Sequence, residues 1–288
     1  MSTNLIISIL ATSVLFTIFK FFEKYKVVSL NAIIVNYLIA SALAFVIPEE
    51  TKPLSYILEQ TWFPVSIFLG FLFVVLFQIM AYSSQKIDIS TTTIANKITF
   101  IFPTIMGIIL FNEPWSFLKL IGFGIAVASI ILSAENRRKF PKKRAYFILL
   151  ILFLGGGFLE SLLSYSQQRL INRSDTSVFF GYLFLFAFVF GLIIFFWRSS
   201  KGESKISKKD FLWGIILGIP NYFSMYFLLE SLKDLHSSVV FPIANMGVIL
   251  CSTLLSVLLF HEKLSKKKLL AVFSSIVAIL LISFHDIF

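Results

Sequence analysis

Two short segments of the chain resemble each other and stand at equivalent places. They are Phe111-Asn112-Glu113-Pro114 and Phe260-His261-Glu262-Lys263, and each follows one long apolar stretch and precedes another. Aligning the two glutamates gives an offset of 149 residues, and the same offset aligns Asn96 with Asn245. The sequence therefore predicts a duplicated protein whose two halves are built to the same plan.

The apolar stretches are long enough to cross a membrane. Hydrophobic residues make up 58% of the 288 positions and charged residues only 14%. A helix of about 20 apolar residues spans the hydrocarbon core of a bilayer, and in lipid the backbone groups must be paired within closed helices. We therefore predict an all-α membrane protein with ten transmembrane helices. The predicted spans are approximately residues 4–22, 28–47, 62–84, 88–111, 115–134, 146–168, 175–197, 211–232, 236–260 and 267–285.

The net charge of +10 is distributed as in a membrane protein and does not indicate a nucleic-acid partner. Of the 25 lysines and arginines, 19 lie in or beside the loops that follow spans 1, 3, 5, 7 and 9. Basic loops of membrane proteins face the cytoplasm. We therefore predict a multi-pass protein of the cell (inner) membrane with both termini on the non-cytoplasmic side. The largest basic clusters are Arg137, Arg138, Lys139, Lys142, Lys143 and Arg144, then Lys205, Lys208 and Lys209, then Lys266, Lys267 and Lys268.

Each half contains five predicted spans, an odd number, so the second half must enter the membrane upside down relative to the first. The predicted units are a first repeat at 1–134, a basic cytoplasmic connector at 135–145 and a second repeat at 146–288. Two inverted five-helix repeats are typical of secondary transporters, whose substrate sites lie near the bilayer midplane.

The fourth and fifth spans, Ile89 to Ser133, and the ninth and tenth spans, His236 to Ser283, share one pattern: a polar start, a long apolar run, a short acidic turn and a second apolar helix. This pattern resembles the EamA-type members of the drug/metabolite transporter superfamily. The resemblance covers nearly the whole chain. It implies a ten-helix transporter of small metabolites and says almost nothing about the substrate. Many members have cytoplasmic termini, whereas the charge distribution here predicts the reverse.

Two charged residues stand well inside predicted spans, where a charge costs about 2.5–3.5 kcal/mol or more. Lys97 lies in the fourth span and could face a substrate carboxylate or phosphate, or form a buried ion pair with Glu160. Glu160 lies in the sixth span, on one helical face with Gly156, Gly157 and further polar residues. It could bind substrate, exchange a proton, or serve as a structural partner for a buried lysine or amide.

Several uncharged polar residues complete the candidate substrate site. Asn96 and Asn245 are related by the repeat and could line one site from opposite sides, or could hold helices together by hydrogen bonds. The remaining candidates are Gln78 and Tyr82 in the third span and Tyr222 and Tyr226 in the eighth.

Other notable residues have structural explanations. Glu113 and Glu262 precede helix starts, where free backbone amides and the helix dipole favour a carboxylate. Gly155, Gly156 and Gly157 indicate close helix packing. Pro103 indicates either a hinge or a fixed bend in the fourth span.

Enzyme chemistry has little support in the sequence. The three histidines are scattered, the single cysteine Cys251 lies within a span, and no nucleotide-binding or metalloprotease motif occurs. We therefore expect no cofactor, no metal and no ATP hydrolysis. The predicted function is a secondary active transporter, functional as a monomer, with a small-molecule substrate and membrane lipid as its partners. The alternatives are an integral-membrane enzyme acting on lipid or isoprenoid substrates and a non-transporting membrane assembly subunit.

Overall fold

In the computed structural model, the described residues are 3–47, 52–111, 116–134, 141–201, 207–234 and 237–287. All regular structure in these ranges is helical. The helices are α1 (Thr3–Lys24), α2 (Ser29–Val46), α3 (Leu54–Leu58), α4 (Phe63–Lys86), α5 (Ile89–Lys97), α6 (Ile101–Phe111), α7 (Phe117–Ala134), α8 (Lys142–Arg169), α9 (Thr176–Ser199), α10 (Lys208–Asp234), α11 (Ser237–Phe260) and α12 (Lys266–Ile287).

Seven helices are long and apolar enough to cross a membrane, judged by length and composition within the described residues. A shorter apolar helix lies at Phe117–Leu132. The all-helical, multi-pass prediction is therefore confirmed. The seven segments are Thr3–Lys24, Ser29–Val46, Phe63–Lys86, Lys143–Gln167, Thr176–Ser199, Lys208–Ser231 and Ile243–Phe260.

The fourth predicted span differs from the prediction of one continuous helix. It is divided into α5 and α6 by a 3-10 turn, Ile98–Phe100. Pro103 accounts for the break, because it has no N–H to donate to the carbonyl of Thr99 one turn earlier. The interruption leaves Lys97 as the last residue of α5.

Four helices form a tightly packed centre in which α2 contacts α9 and α10, and α4 contacts α9. Glycines allow this close approach. A Cβ atom on Gly214 of α10 would lie 2.4 Å from the Cβ atom of Val35, and one on Gly70 of α4 would lie 2.8 Å from the backbone nitrogen of Ala187. The remaining long helices pack around this centre, with α1 against α4, α10 and α11, α8 against α4, α5 and α6, and α7 against α12.

Polar contacts gather the basic segments at one end of the bundle, which we call the basic end. Glu23, at the end of α1, pairs with Lys86 at the end of α4, with 3.0 Å between the charged atoms. Lys209, at the start of α10, donates a hydrogen bond to the carbonyl of Tyr25. The described loops that the sequence predicts to be cytoplasmic therefore meet on one side of the molecule.

A buried carboxylate ties the two halves together at the opposite end. Asp175, just before α9, is 1% exposed and accepts hydrogen bonds from Lys52 and from the hydroxyl of Tyr56 at 3.0 Å. Burial by itself raises the pKa of Asp175, but the hydrogen bonds from Lys52 and Tyr56 outweigh it and hold the pKa below its ordinary value. The ionised carboxylate is therefore the form that stabilises the fold.

We expect Asp175→Asn to lower the free energy of unfolding by about 1 kcal/mol at pH 7, because the charge-assisted hydrogen bonds are lost. A carboxylate with a lowered folded-state pKa contributes stability above its unfolded pKa of about 3.9 and loses that contribution as the pH falls through the folded value. The difference between variant and wild type should therefore shrink below about pH 4. Thermal unfolding of the detergent-purified proteins at pH 7 and pH 3 tests this, with the exposed Glu59→Gln as a control.

Candidate functional site

The charged residues of the candidate site lie next to the 3-10 turn at residues 98–100, which we call the helix break. Lys97 lies at the carboxyl end of α5, where the partial negative charge of the helix terminus favours a cation. Interrupted helices at membrane depth are found where backbone lines a binding cavity or is buried in protein. The break therefore gives Lys97 a stabilised position that the sequence alone did not indicate.

The structure brings Glu160 of α8 to the same break. Its carboxylate lies near Thr99, whose hydroxyl donates to the carbonyl of Asn96, and is near enough to Lys97 for the two charges to attract. Among the described residues, no ion pair of 4.0 Å or less joins these two side chains. Both side chains are half-buried. The arrangement presents a cation and a carboxylate side by side without joining them tightly.

Close packing of α8 against the break explains how this approach is possible. A Cβ atom on Gly156 would lie 2.9 Å from the methyl group of Thr99, and one on Gly157 would lie 2.1 Å from the ring of Phe102. Any side chain at either position would push α8 away from the 3-10 turn. The glycine triplet thus has the packing role that the sequence indicated, and it also sets the spacing between Glu160 and Lys97.

Asn96 and Asn245 lie on neighbouring helices, because α5 packs against α11. The two helices also meet at Ser90 and Ser256, whose hydroxyl oxygens are 3.1 Å apart. At 1.5 Å per residue, Asn96 is about 9 Å and Asn245 about 16 Å further into the bundle than these serines. Both asparagines are half-buried, and the structure places them on neighbouring helices at depths that differ by about 7 Å.

Gln78 and Tyr82, both on α4, have different environments. The amide nitrogen of Gln78 is buried, and no described residue accepts a hydrogen bond from it. A buried donor of this kind is available to a ligand or water. Tyr82 lies one turn nearer the basic end, where the guanidinium of Arg144 is 6.0 Å from its ring centroid. Gln78 is therefore the better placed of the two for a site inside the bundle.

Tyr222 and Tyr226 belong to a second, aromatic region. Their rings stack with centroids 5.8 Å apart, and Glu230 is within electrostatic reach of Tyr222. They border a narrow crevice of about 20 Å³ between α9 and α10, which is room for about one water molecule. The structure does not bring these tyrosines into contact with Lys97 or Glu160. The other residues lining the crevice are Ser177, Phe180, Phe184, Met225 and Leu229.

Two buried lysines were missed by the sequence analysis. Lys119 at the start of α7 is 1% exposed, and Lys268 at the start of α12 is 8% exposed. The backbone N–H of each donates to a serine three residues earlier, Ser116 and Ser265 respectively, at 3.3 Å in both cases. The offset of 149 residues relates the two lysines and the two serines. This repeated spacing after the acidic turn was the signal that could have identified them.

Glu262 interacts with a lysine in addition to standing before a helix start. Its carboxylate lies 3.4 Å from the Nζ atom of Lys268. His261, immediately before it, has a φ of 50°, the left-handed backbone conformation common after a helix C-terminus, and the N–H of Glu262 donates to the carbonyl of Ser256. The structural role predicted for Glu262 thus includes a buried ion pair, while Glu113 lies outside the described residues.

Among the described residues, no group of three or more histidine, cysteine, aspartate or glutamate side chains is placed to hold a metal ion. The candidate site therefore offers single charges and amides for binding a solute.

Comparison with known proteins gives two full-length similarities. A protein of Haemophilus influenzae (strain ATCC 51907 / DSM 11121 / KW20 / Rd), described only as uncharacterized, is 24% identical over 292 residues, covering 98% of each chain. A solved structure, described only as a crystal structure of a protein, matches with a TM-score of 0.64 and 16% identity over 96% of this chain and 94% of that chain. The second similarity shows a shared fold.

The profile of the EamA-like transporter family matches residues 147–284. These residues are nearly the whole of the predicted second repeat, including α9 to α11 and most of α8 and α12. Members of this family are membrane transporters of small solutes. Residues 147–284 are therefore similar to the EamA-like transporter family, within the drug/metabolite transporter superfamily that the sequence pattern resembles.

Proposed function

We propose that this chain is a secondary transporter with ten transmembrane helices, arranged as inverted repeats at 1–134 and 146–288 and joined by the connector 135–145. It moves a small metabolite across the cell (inner) membrane by alternating access and works as a monomer. The family match of the second half supports the transporter class. The adjacent Lys97 and Glu160 at the helix break are the observation that carries the site.

Helix packing supports the duplication. We pair α1 with α8, α2 with α9, α4 with α10, the α5–α6 span with α11, and α7 with α12. If each helix is replaced by its counterpart in the other half, the contact of α2 with α10 becomes that of α9 with α4. In the same way, the contact of α1 with α11 becomes that of α8 with α5 and α6. The contacts of α2 with α9 and of α7 with α12 map onto themselves. All of these contacts occur, as a twofold relation between the halves requires.

The charge distribution supports a cytoplasmic location for the basic end, with both termini on the other side. The solute would then bind between the ends, at the level of the break in the fourth span. Asn96, Lys97, Glu160, Asn245 and Gln78 are the proposed binding residues nearest this level. Tyr222 and Tyr226 would line the path, and Tyr82 would lie at its basic end.

The site favours a solute with an anionic group, because Lys97 is the one cation at the break among the described residues. An amino acid or similar dipolar solute would in addition present an ammonium group to Glu160. Glu160 is also the proposed proton-coupling residue, since a half-buried carboxylate next to a lysine can exchange its proton as substrate arrives and leaves.

The first test is a thermal-shift screen of the purified protein against amino acids, organic acids, phosphate esters and organic cations, followed by flux of the hits in liposomes. A true ligand stabilises the fold by about 2.7 kcal/mol when its concentration is 100 times its Kd. We expect anionic or dipolar hits that also move across the bilayer. A folded protein that shows no flux with any member of a broad panel would contradict the proposal and favour an assembly role.

A further inference from the structure

A buried ion-pair network joins the two proposed halves at the basic end. The Nζ atom of Lys268 lies 3.2 Å from an oxygen of Asp88 and 3.4 Å from one of Glu262. The side chains of the lysine, Asp88 and Glu262 are 9%, 6% and 12% exposed. Asp88 belongs to the first half, whereas Lys268 and Glu262 belong to the second. One of the two ion pairs therefore crosses between the halves, and the other does not.

The helix seam beside this network is closed. Asp88 caps α5 by accepting a hydrogen bond from the N–H of Thr91 at 2.7 Å. The first seven residues of α5, 89–95, are all buried. Directly along the seam, the hydroxyl oxygens of Ser90 and Ser256 are 3.1 Å apart. The first half thus seals against the second from Asp88 inward.

The same span is packed differently toward the opposite end. In the described part of the chain, α6 packs against α8 and the 3-10 turn, whereas α11 packs against α1, α5, α10 and α12. On α6, Ile105 and Ile109 are 37% and 69% exposed. The α5 segment of the fourth span therefore contacts α11 of the second half, near the basic end. Beyond the helix break, the α6 segment packs against α8.

We propose that the Asp88–Lys268 ion pair locks a gate at the basic end, and that the structure is the conformation closed at this end. This inference depends on the proposed transport function. Opening the gate separates α5 from α11 and α12, breaks the contact of Ser90 with Ser256 and leaves Lys268 paired with Glu262. The solute path then connects to the basic side.

Glu262 makes such a movement physically feasible. Removing the only partner of a buried charge costs several kcal/mol, because the remaining charge is left uncompensated. Lys268 avoids this cost because Glu262 lies in its own half and moves with it. The hydroxyl groups of Ser90 and Ser256 meet across the seam, so separating it exposes hydroxyl groups that water can hydrate.

The test is a distance measurement across the gate in lipid nanodiscs. Nitroxide labels are attached at Lys86→Cys and Lys266→Cys, exposed positions at the basic ends of α4 and α12, in a Cys251→Ser background. Double electron–electron resonance should give mainly short distances for this reference protein. Asp88→Asn keeps a capping side chain and removes the charge. It should increase the population of longer distances about fivefold or more, a typical coupling between two states.

Glu262→Gln is the matched control, because it removes the other carboxylate from the same lysine without touching the contact between halves. We expect it to leave the distance distribution at the short values. If Asp88→Asn leaves the distribution unchanged, or if Glu262→Gln changes it equally, the gate proposal is overturned. Should Asp88→Asn fold poorly, the double variant Asp88→Asn/Lys268→Gln, which removes both charges, provides the same comparison.

Flux in liposomes separates this proposal from the transport function on which it rests. Flux by the wild type with identical distance distributions in all variants would leave the transporter intact and overturn the gate. Absence of flux across the solute panel would overturn the transport function, whatever the labels report. Flux together with a shift specific to Asp88→Asn supports both.

Discussion

Lys97→Gln is expected to reduce solute flux at least about 30-fold while leaving the protein folded. In the proposed site, Lys97 pairs with the anionic group of the bound solute. Truncating one member of such a charge pair costs roughly 2–5 kcal/mol, and 2 kcal/mol already corresponds to about 30-fold. The glutamine retains a polar group of similar length, so the helix break should survive. Counterflow of a radiolabelled hit in proteoliposomes measures the flux, and the shift in unfolding temperature caused by the same ligand measures binding.

Lys97→Arg and Lys24→Gln are the controls for this prediction. The arginine retains the charge and should retain part of the binding, whereas Lys24 is exposed at the end of α1 and its substitution should change neither readout. Ligand stabilisation that persists at full size in Lys97→Gln would remove Lys97 from the site. Glu160→Gln tests the proposed proton coupling separately from solute binding. A pH profile of flux identical to that of the wild type would exclude proton coupling through Glu160.

The general architecture could be predicted from sequence because it depends on patterns along the chain. Apolar runs and turn residues predicted helices close to their observed limits, as at α9 and α11. The resemblance at the acidic turns pointed to the family that the second half matches. The charges within the spans, Lys97 and Glu160, were also visible, because a lysine or glutamate in an apolar run has few structural explanations.

Contacts between distant residues could not be predicted in the same way. Asp88 pairs with a lysine 180 positions later, and the sequence offers three consecutive lysines at 266–268 that composition cannot distinguish. The three-dimensional structure at the start of α12 is needed to show that Lys268 is buried, whereas Lys266 and Lys267 are exposed. The helix break was similarly hidden: Pro103 is compatible with a smooth bend, a kink or the 3-10 turn that actually precedes it.

The two kinds of contact between the halves suggest different mechanical roles. Where α2 meets α9 and α10, glycines bring backbones together and no side chain could be inserted without displacement. Where Asp88 and α5 meet α11 and α12, one contact between hydroxyl groups and one ion pair hold the surfaces together. A structure that moves about one seam needs another that stays fixed. The glycine-lined contacts are suited to the fixed role.

Gly214→Ala should therefore destabilise the protein by about 1–3 kcal/mol, the usual cost of overfilling a packed core. The new Cβ atom would lie 2.4 Å from the Cβ atom of Val35 and 2.7 Å from the carbonyl oxygen of Ala32, so the backbones of α2 and α10 must separate. Gly70→Ala should behave alike, because its Cβ would meet backbone atoms of α9 within 3 Å. Unfolding of the purified proteins by heat and by denaturing detergent measures the change.

Two further glycines turn this prediction into a graded series with an internal control. The three atoms nearest to a Cβ atom on Gly181 all belong to the ring of Phe45, which is 38% exposed and can rotate, so Gly181→Ala should cost less than Gly214→Ala. At Gly124, in α7, no atom lies within 4 Å of the new Cβ, and alanine should be neutral or slightly stabilising because it favours the helix. Equal losses at Gly124 and Gly214 would show that the close approach of α2 and α10 does not set the cost. We expect the loss of stability to rise in the order Gly124, Gly181, Gly214. The new Cβ atom meets free space at Gly124, a ring that can move at Gly181 and fixed backbone at Gly214.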